Sequence, residues 1–191
     1  LTKTLYLMRH GQTLFNQLKR IQGACDSPLT AQGITEAQSV GRYFKQQGLK
    51  FDHAYASTQE RAVDTLELVT KQSYQRLKWN FGVFEGESEV LNPKFSPGQL
   101  GYGDYFVQFG GESGKQVQER MVQTLTEIMA RPDHQQVLAV SHGGASYMFL
   151  QRWLDATEMQ RRQIRVNNCA VLKFLYDDGK FELVSVRNLD D

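Results

Sequence analysis

Thr4-Leu5-Tyr6-Leu7-Met8-Arg9-His10-Gly11 sets a nearly unbroken apolar run directly before two basic residues and a glycine. A run this short and continuous reads as a strand covered on both faces, the pattern of a buried parallel sheet. Arg9 and His10 then stand at its C-terminal end. Beyond it, apolar residues recur at Ile34, Ala37, Val40 and Phe44 within residues 30–47, with Thr30 as N-cap and Gly48 just past the end, which predicts an amphipathic helix. His53-Ala54-Tyr55-Ala56 predicts a second strand. Ser57-Thr58-Gln59-Glu60 after it matches a capping box, which puts Arg61 in the first turn of the next helix. Ser113 with Gln116 repeats that signal before Val117, Met121, Leu125 and Ile128, a helix stopped by Pro132. Val137-Leu138-Ala139-Val140 predicts a third strand, after which Ser141-His142-Gly143-Gly144 opens an apolar helix reaching Leu154. Residues 170–176 and 181–186, joined by Asp177-Asp178-Gly179-Lys180, read as a hairpin.

Strands alternating with helices predict a three-layer α/β/α domain with a largely parallel central sheet. At 191 residues the chain is expected to form one domain over residues 1–191. Hydrophobic residues at 40% and charged residues at 23% are those of a globular protein. Lys+Arg 22 against Asp+Glu 21 leaves a net charge of +1, too balanced for the broad basic field of non-specific nucleic-acid binding. Any anion site has to be local. No apolar stretch approaches the ~20 residues that cross a bilayer, and no export signal is recognisable, so neither a membrane nor a nucleic-acid partner is expected and the cytoplasm is the default compartment. Cys25 and Cys169 lie far apart, unlike a disulfide framework or zinc site, and read as plain small residues. Residues 92–111 hold Pro93, Pro97, five glycines and the aromatics Phe95, Tyr102, Tyr105, Phe106 and Phe109. A segment of this length and composition reads either as a lid loop or as filler packed onto the body.

In open α/β sheets, ligands bind beyond the carboxyl ends of the strands. Three such ends carry chemistry here: Arg9-His10-Gly11, residues 57–61, and Ser141-His142-Gly143-Gly144. Two histidines and two arginines on one rim, with helix N-termini beside them, suit a multiply charged anion such as phosphate. Arg-His-Gly alone is weak, arising about 2% of the time in a shuffled chain of this composition. It gains weight from the residues downstream of it: Gln12-Thr13, Asn16, Gln22-Gly23, Asp26, Pro28-Leu29-Thr30 and Gly33. On these residues the chain resembles the histidine phosphatase superfamily, the phosphoglycerate mutase-like proteins, whose pattern opens R-H-G-x-T-x-x-N and continues Q-G-x-x-D-x-P-L-T-x-x-G. The likeness extends through Ser57-x-x-x-Arg61-Ala62-x-x-Thr65, Phe81-Gly82-x-Phe84-Glu85-Gly86, Gly111-Glu112-Ser113 and Ser141-His142-Gly143.

The resemblance implies that His10 is the nucleophile, accepting the phosphoryl group as phosphohistidine. Arg9, Arg61 and His142 would bind the transferring oxygens, with hydrogen bonds added by Asn16 and by the Gln22-Gly23 turn, while Gly11 and Gly143 allow close backbone approach to those oxygens, which counts Gly143 among the phosphate-binding residues. Elementary chemistry agrees. Phosphoryl transfer is catalysed mainly by in-line positioning and stabilisation of charge on the equatorial oxygens, and an unprotonated imidazole nitrogen attacks without a strong base. No metal and no cofactor are implied, and the expected partner is a small phosphorylated molecule. His53 and His134 match no motif position and read as structural or exposed. Glu85 and Glu112 occupy motif positions, yet each could equally cap a turn or pair with an arginine.

One part departs from the pattern. A leaving alkoxide needs a general acid. Many relatives carry a Glu four residues before the motif glycine, where this chain has Lys78 in Arg76-Leu77-Lys78-Trp79-Asn80-Phe81-Gly82; others carry an Asp after the second His, where this chain has Gly143. Either another carboxylate serves, with Glu85 the first candidate and Glu87 and Asp104 behind it, or a segment is missing between Lys78 and Trp79. The second explanation is preferred at this level, since Leu77-Lys78-Trp79-Asn80-Phe81-Gly82 looks like the motif with its glutamate lost. A short chain resembles the compact phosphatase branch, so the leading expectation is metal-independent hydrolysis of phosphomonoesters. Phosphoglycerate mutase is the alternative, and a phosphate-binding module with little turnover is a third.

Overall fold

The computed structural model describes residues 2–71 and 102–190. Its elements run β1 (Lys3–Arg9), α1 (Leu14–Gln17), α2 (Ala31–Gln46), β2 (His53–Ala56), α3 (Glu60–Thr70), α4 (Gly114–Ala130), β3 (Gln136–Ser141), α5 (Gly143–Trp153), α6 (Ala156–Arg161), β4 (Val171–Asp177) and β5 (Lys180–Arg187). The sheet order is β2-β3-β1-β4-β5. β2, β3 and β1 pair in parallel, whereas β4 joins β1 antiparallel and β5 closes a hairpin with it. The sheet is therefore mixed. Its parallel part is the part that carries the histidines.

β1 is central and buried on both faces because its side chains alternate between two cores. Leu5 and Leu7 join Val117, Leu125, Phe149 and Phe174 on the side of α4 and α5. Tyr6 and Met8 join Ala37, Val40, Phe44 and Leu66 on the side of α2 and α3. β3 divides in the same way, with Val137 and Ala139 in the first core and Leu138 and Val140 in the second. Apolar surface on both faces of a strand needs a helical layer on each side, and the three-layer α/β/α arrangement supplies it.

The starts of α2 and α4 follow local chemistry. The Thr30 hydroxyl accepts from the Gly33 amide at the start of α2, and Ser113 and Gln116 form both halves of a capping box at α4. The box expected at Ser57 does not form. α3 begins two residues later, with Gln59 as N-cap and no side-chain cap bond of its own. The Ser57 amide instead donates to the Val140 carbonyl, extending the β2–β3 ladder, and its hydroxyl turns toward His142. The orphan amide of Glu60 is satisfied from afar, by the Asp26 carboxylate at 2.7 Å.

Within the described half of the aromatic segment, Phe106 is buried and packs edge-on against Tyr102 and Tyr105, and the Gly103 carbonyl accepts from the Gly114 amide at the start of α4. Residues 92–101, the Lys78–Trp79 junction, Glu85 and Glu87 lie outside the described residues. Asp104 is exposed at the surface.

Candidate active site

His10 follows the last residue of β1, and His142 follows the last residue of the neighbouring β3. The two strands are paired in register, Arg9 opposite Ser141, and the His10 amide donates to the Ser141 carbonyl at 3.0 Å. The two imidazoles thus meet at one edge of the sheet, with ring centroids 5.3 Å apart. Both residues are buried, His10 at 3% exposed.

The His10 tautomer is set by the backbone. Its Nδ1 lies 2.8 Å from the Gly11 carbonyl oxygen, which can only accept, so Nδ1 carries the proton and Nε2 keeps its lone pair. The Gly11 amide donates to the Thr65 hydroxyl, the His10 carbonyl accepts from the Asn168 side chain, and the Cys169 amide also donates to that carbonyl. The nucleophile candidate is therefore held from α3, from β1 and from the turn before β4.

Burial first, then the positive charges of Arg9 and Arg61, hold the His10 pKa well below 6.5. Burial, then Arg61, His10, Arg9 and Arg120, does the same to His142. Both rings are neutral in the folded protein, while those of the unfolded chain protonate below about pH 6.5. Unfolding then takes up protons between the folded and unfolded values, so stability falls as pH drops through that window, at up to about 1.4 kcal/mol per pH unit for each proton bound. The urea midpoint of the ligand-free protein is expected to be lower at about pH 5.5 than at about pH 7.5, and equal midpoints would refute the neutral assignment.

The arginines enter from different elements. Arg61, in the first turn of α3 and 2% exposed, donates through Nη1 to the Cys25 carbonyl and to Asp26, and through Nη2 to the Gly23 carbonyl. Gly23, with φ of 54°, turns this loop so that its carbonyl orients Arg61. Arg9 donates through Nη1 to the Val166 carbonyl. Its side chain lies across the start of α5, and a Cβ on Gly143 would stand 3.1 Å from Arg9 Nε. The close approach that Gly143 permits is thus that of the arginine. Gly11 is likewise in contact with backbone, since a Cβ there would meet the Gly33 carbonyl oxygen at 2.6 Å. Asn16 accepts from the Thr13 amide and hydroxyl and from the Asn168 amide group, joining the loop after β1 to the turn before β4. Gln22 Oε1 is buried, with no hydrogen-bond partner among the described residues. Glu112 forms a two-point pair with Arg120, at 3.1 Å for each bond.

Three contributors carry no role in the motifs themselves. Ser57 Oγ lies 2.6 Å from His142 Nε2, Asp26 joins Arg61 to the start of α3, and Asn168 ties His10 to Asn16. Ser57 and Asp26 stand at motif positions whose chemistry the sequence does not reveal, and Asn168 has no local signal.

The other two histidines form a clasp at the opposite end of β2 and β3. Asp133 accepts from His134 Nδ1 at 2.9 Å and pairs with His53 Nε2 at 2.8 Å. With Nδ1 protonated, His134 Nε2 accepts from the Tyr55 hydroxyl at 2.6 Å, and that hydroxyl oxygen accepts from Arg131. The rings of His53 and His134 stack face to face at 3.8 Å, and one ligand atom from each of His53, Asp133 and His134 lies within 4.8 Å of the others.

Two buried imidazoles and two arginines thus stand at the carboxyl edge of the parallel part of the sheet, and comparison with known proteins identifies the family that shares this fold. The profile of the histidine phosphatase superfamily (branch 1) matches residues 5–189, and the chain belongs to that family. It is 32% identical over 186 residues to a probable phosphoglycerate mutase of Proteus mirabilis (strain HI4320), covering 92% of this chain and 86% of that protein. Among solved structures, phosphoglycerate mutase from Bacillus anthracis superposes with a TM-score of 0.78 at 27% identity, covering 96% of this chain and 92% of that one. Phosphoserine phosphatase from Entamoeba histolytica, solved with 3-phosphoglyceric acid, superposes at 0.77 with 26% identity, covering 97% and 96%. Proteins of similar extent carry both names, so length does not separate a hydrolase from a mutase here. Among the described residues no helix is long and apolar enough to cross a membrane.

Proposed function

We propose that this protein hydrolyses phosphomonoesters through a phosphohistidine formed on His10. The observation that carries the reading is the His10 tautomer: a neutral, buried ring whose Nδ1–H is spent on the Gly11 carbonyl leaves Nε2 as a lone-pair nucleophile, 5.3 Å in ring centroids from a second neutral imidazole. Nε2 attacks phosphorus and the ester oxygen leaves with the bonding pair. Arg9, Arg61 and His142 carry the charge on the equatorial oxygens, assisted by the free amides at the start of α5. Asn16, Gln22 and the Gly23 turn support that cradle, with Gly23 acting on Arg61 and Asn16 on the loop that bears His10. Water then attacks the phosphohistidine, releasing phosphate and restoring Nε2.

Glu85 is assigned the protonation of the leaving oxygen. An aryl phosphate has a good leaving group and needs little protonation, whereas an alkyl phosphate needs the acid. In a phosphate-release screen both classes are expected to turn over, and Glu85→Gln is expected to lose about 10²-fold on alkyl phosphates while changing little on aryl phosphates. Equal losses on both would remove Glu85 from that role. No turnover of either class by the wild-type protein would defeat the hydrolase reading.

The mutase reading is favoured by one observation, the name of the Proteus mirabilis relative. It shares the phosphohistidine and differs in the acceptor: a phosphoglycerate hydroxyl takes the place of water. Interconversion of 3-phosphoglycerate and 2-phosphoglycerate, stimulated by 2,3-bisphosphoglycerate and faster than phosphate release, would establish it over hydrolysis.

A further inference from the structure

His142 is the N-cap of α5, yet its side chain makes no capping bond. Its Nε2 instead lies 2.6 Å from the hydroxyl of Ser57, itself 1% exposed, while its Nδ1 is buried and has no hydrogen-bond partner among the described residues. Ser57 is well anchored for this contact, because its amide extends the β2–β3 ladder onto the Val140 carbonyl. A neutral imidazole holds one proton, and two arrangements fit the 2.6 Å contact. If Nε2–H donates to Ser57, Nδ1 presents a lone pair. If the Ser57 hydroxyl donates to Nε2, the ring proton sits on Nδ1. Phosphoryl oxygens only accept, so a buried lone pair beside them is repulsive, whereas an N–H there is a charge-assisted donor.

We propose that Ser57 is a positioning residue: its hydroxyl donates to His142 Nε2 and thereby holds the ring as the Nδ1–H tautomer, keeping the buried nitrogen as a donor for a phosphoryl oxygen. The inference deepens the phosphohistidine reading and rests on it for its kinetic consequence. The neutral state of His142, imposed by burial and by the surrounding arginines, makes the choice of tautomer matter, since a doubly protonated ring would donate from both nitrogens. Thr58, the next residue, has its hydroxyl buried without a partner among the described residues, so the contact belongs to position 57 alone.

The test combines ring-nitrogen NMR with kinetics, using wild type, Ser57→Ala and Ser57→Thr. In the free wild-type protein, His142 is expected to show a protonated Nδ1 and an unprotonated Nε2. Ser57→Ala is expected to shift the proton toward Nε2 and lower kcat/KM on an aryl phosphate by about 10- to 100-fold. Ser57→Thr, which retains the hydroxyl, is expected to restore the Nδ1–H signature and most of the rate. A wild-type ring protonated at Nε2, or a Ser57→Ala variant with unchanged tautomer or unchanged kcat/KM, overturns the proposal. The NMR readout needs no turnover, so absence of activity in the wild-type protein would bring down the hydrolase reading while the tautomer was still decided.

Discussion

Replacing His10 by alanine is expected to lower phosphomonoester turnover by at least about 10³-fold while far-UV circular dichroism and urea midpoint change little. The size of the loss follows from the geometry. The only other described imidazole within reach is His142, and its Nε2 is already engaged by Ser57. Among the described residues no substitute nucleophile stands at the end of β1. The fold should survive because the His10 backbone makes the structural contacts: its amide bonds Ser141, and its carbonyl accepts from Cys169 and Asn168. Mixing with a labelled aryl phosphate and quenching in base should trap label on the wild-type protein and none on the variant. Residual activity above about a tenth of wild type would remove His10 from the nucleophile's role.

The second large effect is one of packing. Gly33→Ala is expected to destabilise the protein by about 3 kcal/mol. A Cβ at position 33 would lie 2.0 Å from the Gln12 carbonyl oxygen and 2.8 Å from its amide nitrogen, both backbone atoms that no rotamer change can move aside. Gln12 is also held on both sides of this contact: its amide donates to Glu36, and its carbonyl accepts from the Thr30 amide. Relief therefore requires the first turn of α2 to separate from the loop that carries His10 and Gly11. Activity should fall along with stability, which a His10→Ala change would not produce. Urea titration of the variant decides it, and a loss under about 0.5 kcal/mol would show that the loop and helix part more easily than the distances imply.

The ends of β1 and β3 were legible because a buried strand leaves a plain mark: a short apolar run broken by charge. The capping chemistry of α2 and α4 was legible because the capping residue and the amide it serves lie three positions apart. Ser57 shows where that logic ends. It has the local credentials of a helix cap, but the ladder to Val140 holds its backbone in the strand, and the amide at the start of α3 is served by Asp26, 34 residues earlier. The same limit applies to Asn168 and to the carbonyl of Gly23, whose partners are distant in sequence. His53 and His134, far apart along the chain, become a stacked pair only because β2 and β3 are neighbours. The antiparallel β4–β5 hairpin was visible as a hairpin, but its place beside β1, which makes the sheet mixed, depended on topology.

The pairing of Arg9 with Ser141 across β1 and β3 has an evolutionary consequence. Because each histidine is the residue directly after one of these paired positions, their separation is set by a backbone ladder that mutation of surrounding side chains scarcely alters. Substitutions at positions outside that ladder can therefore accumulate while the two rings keep their separation.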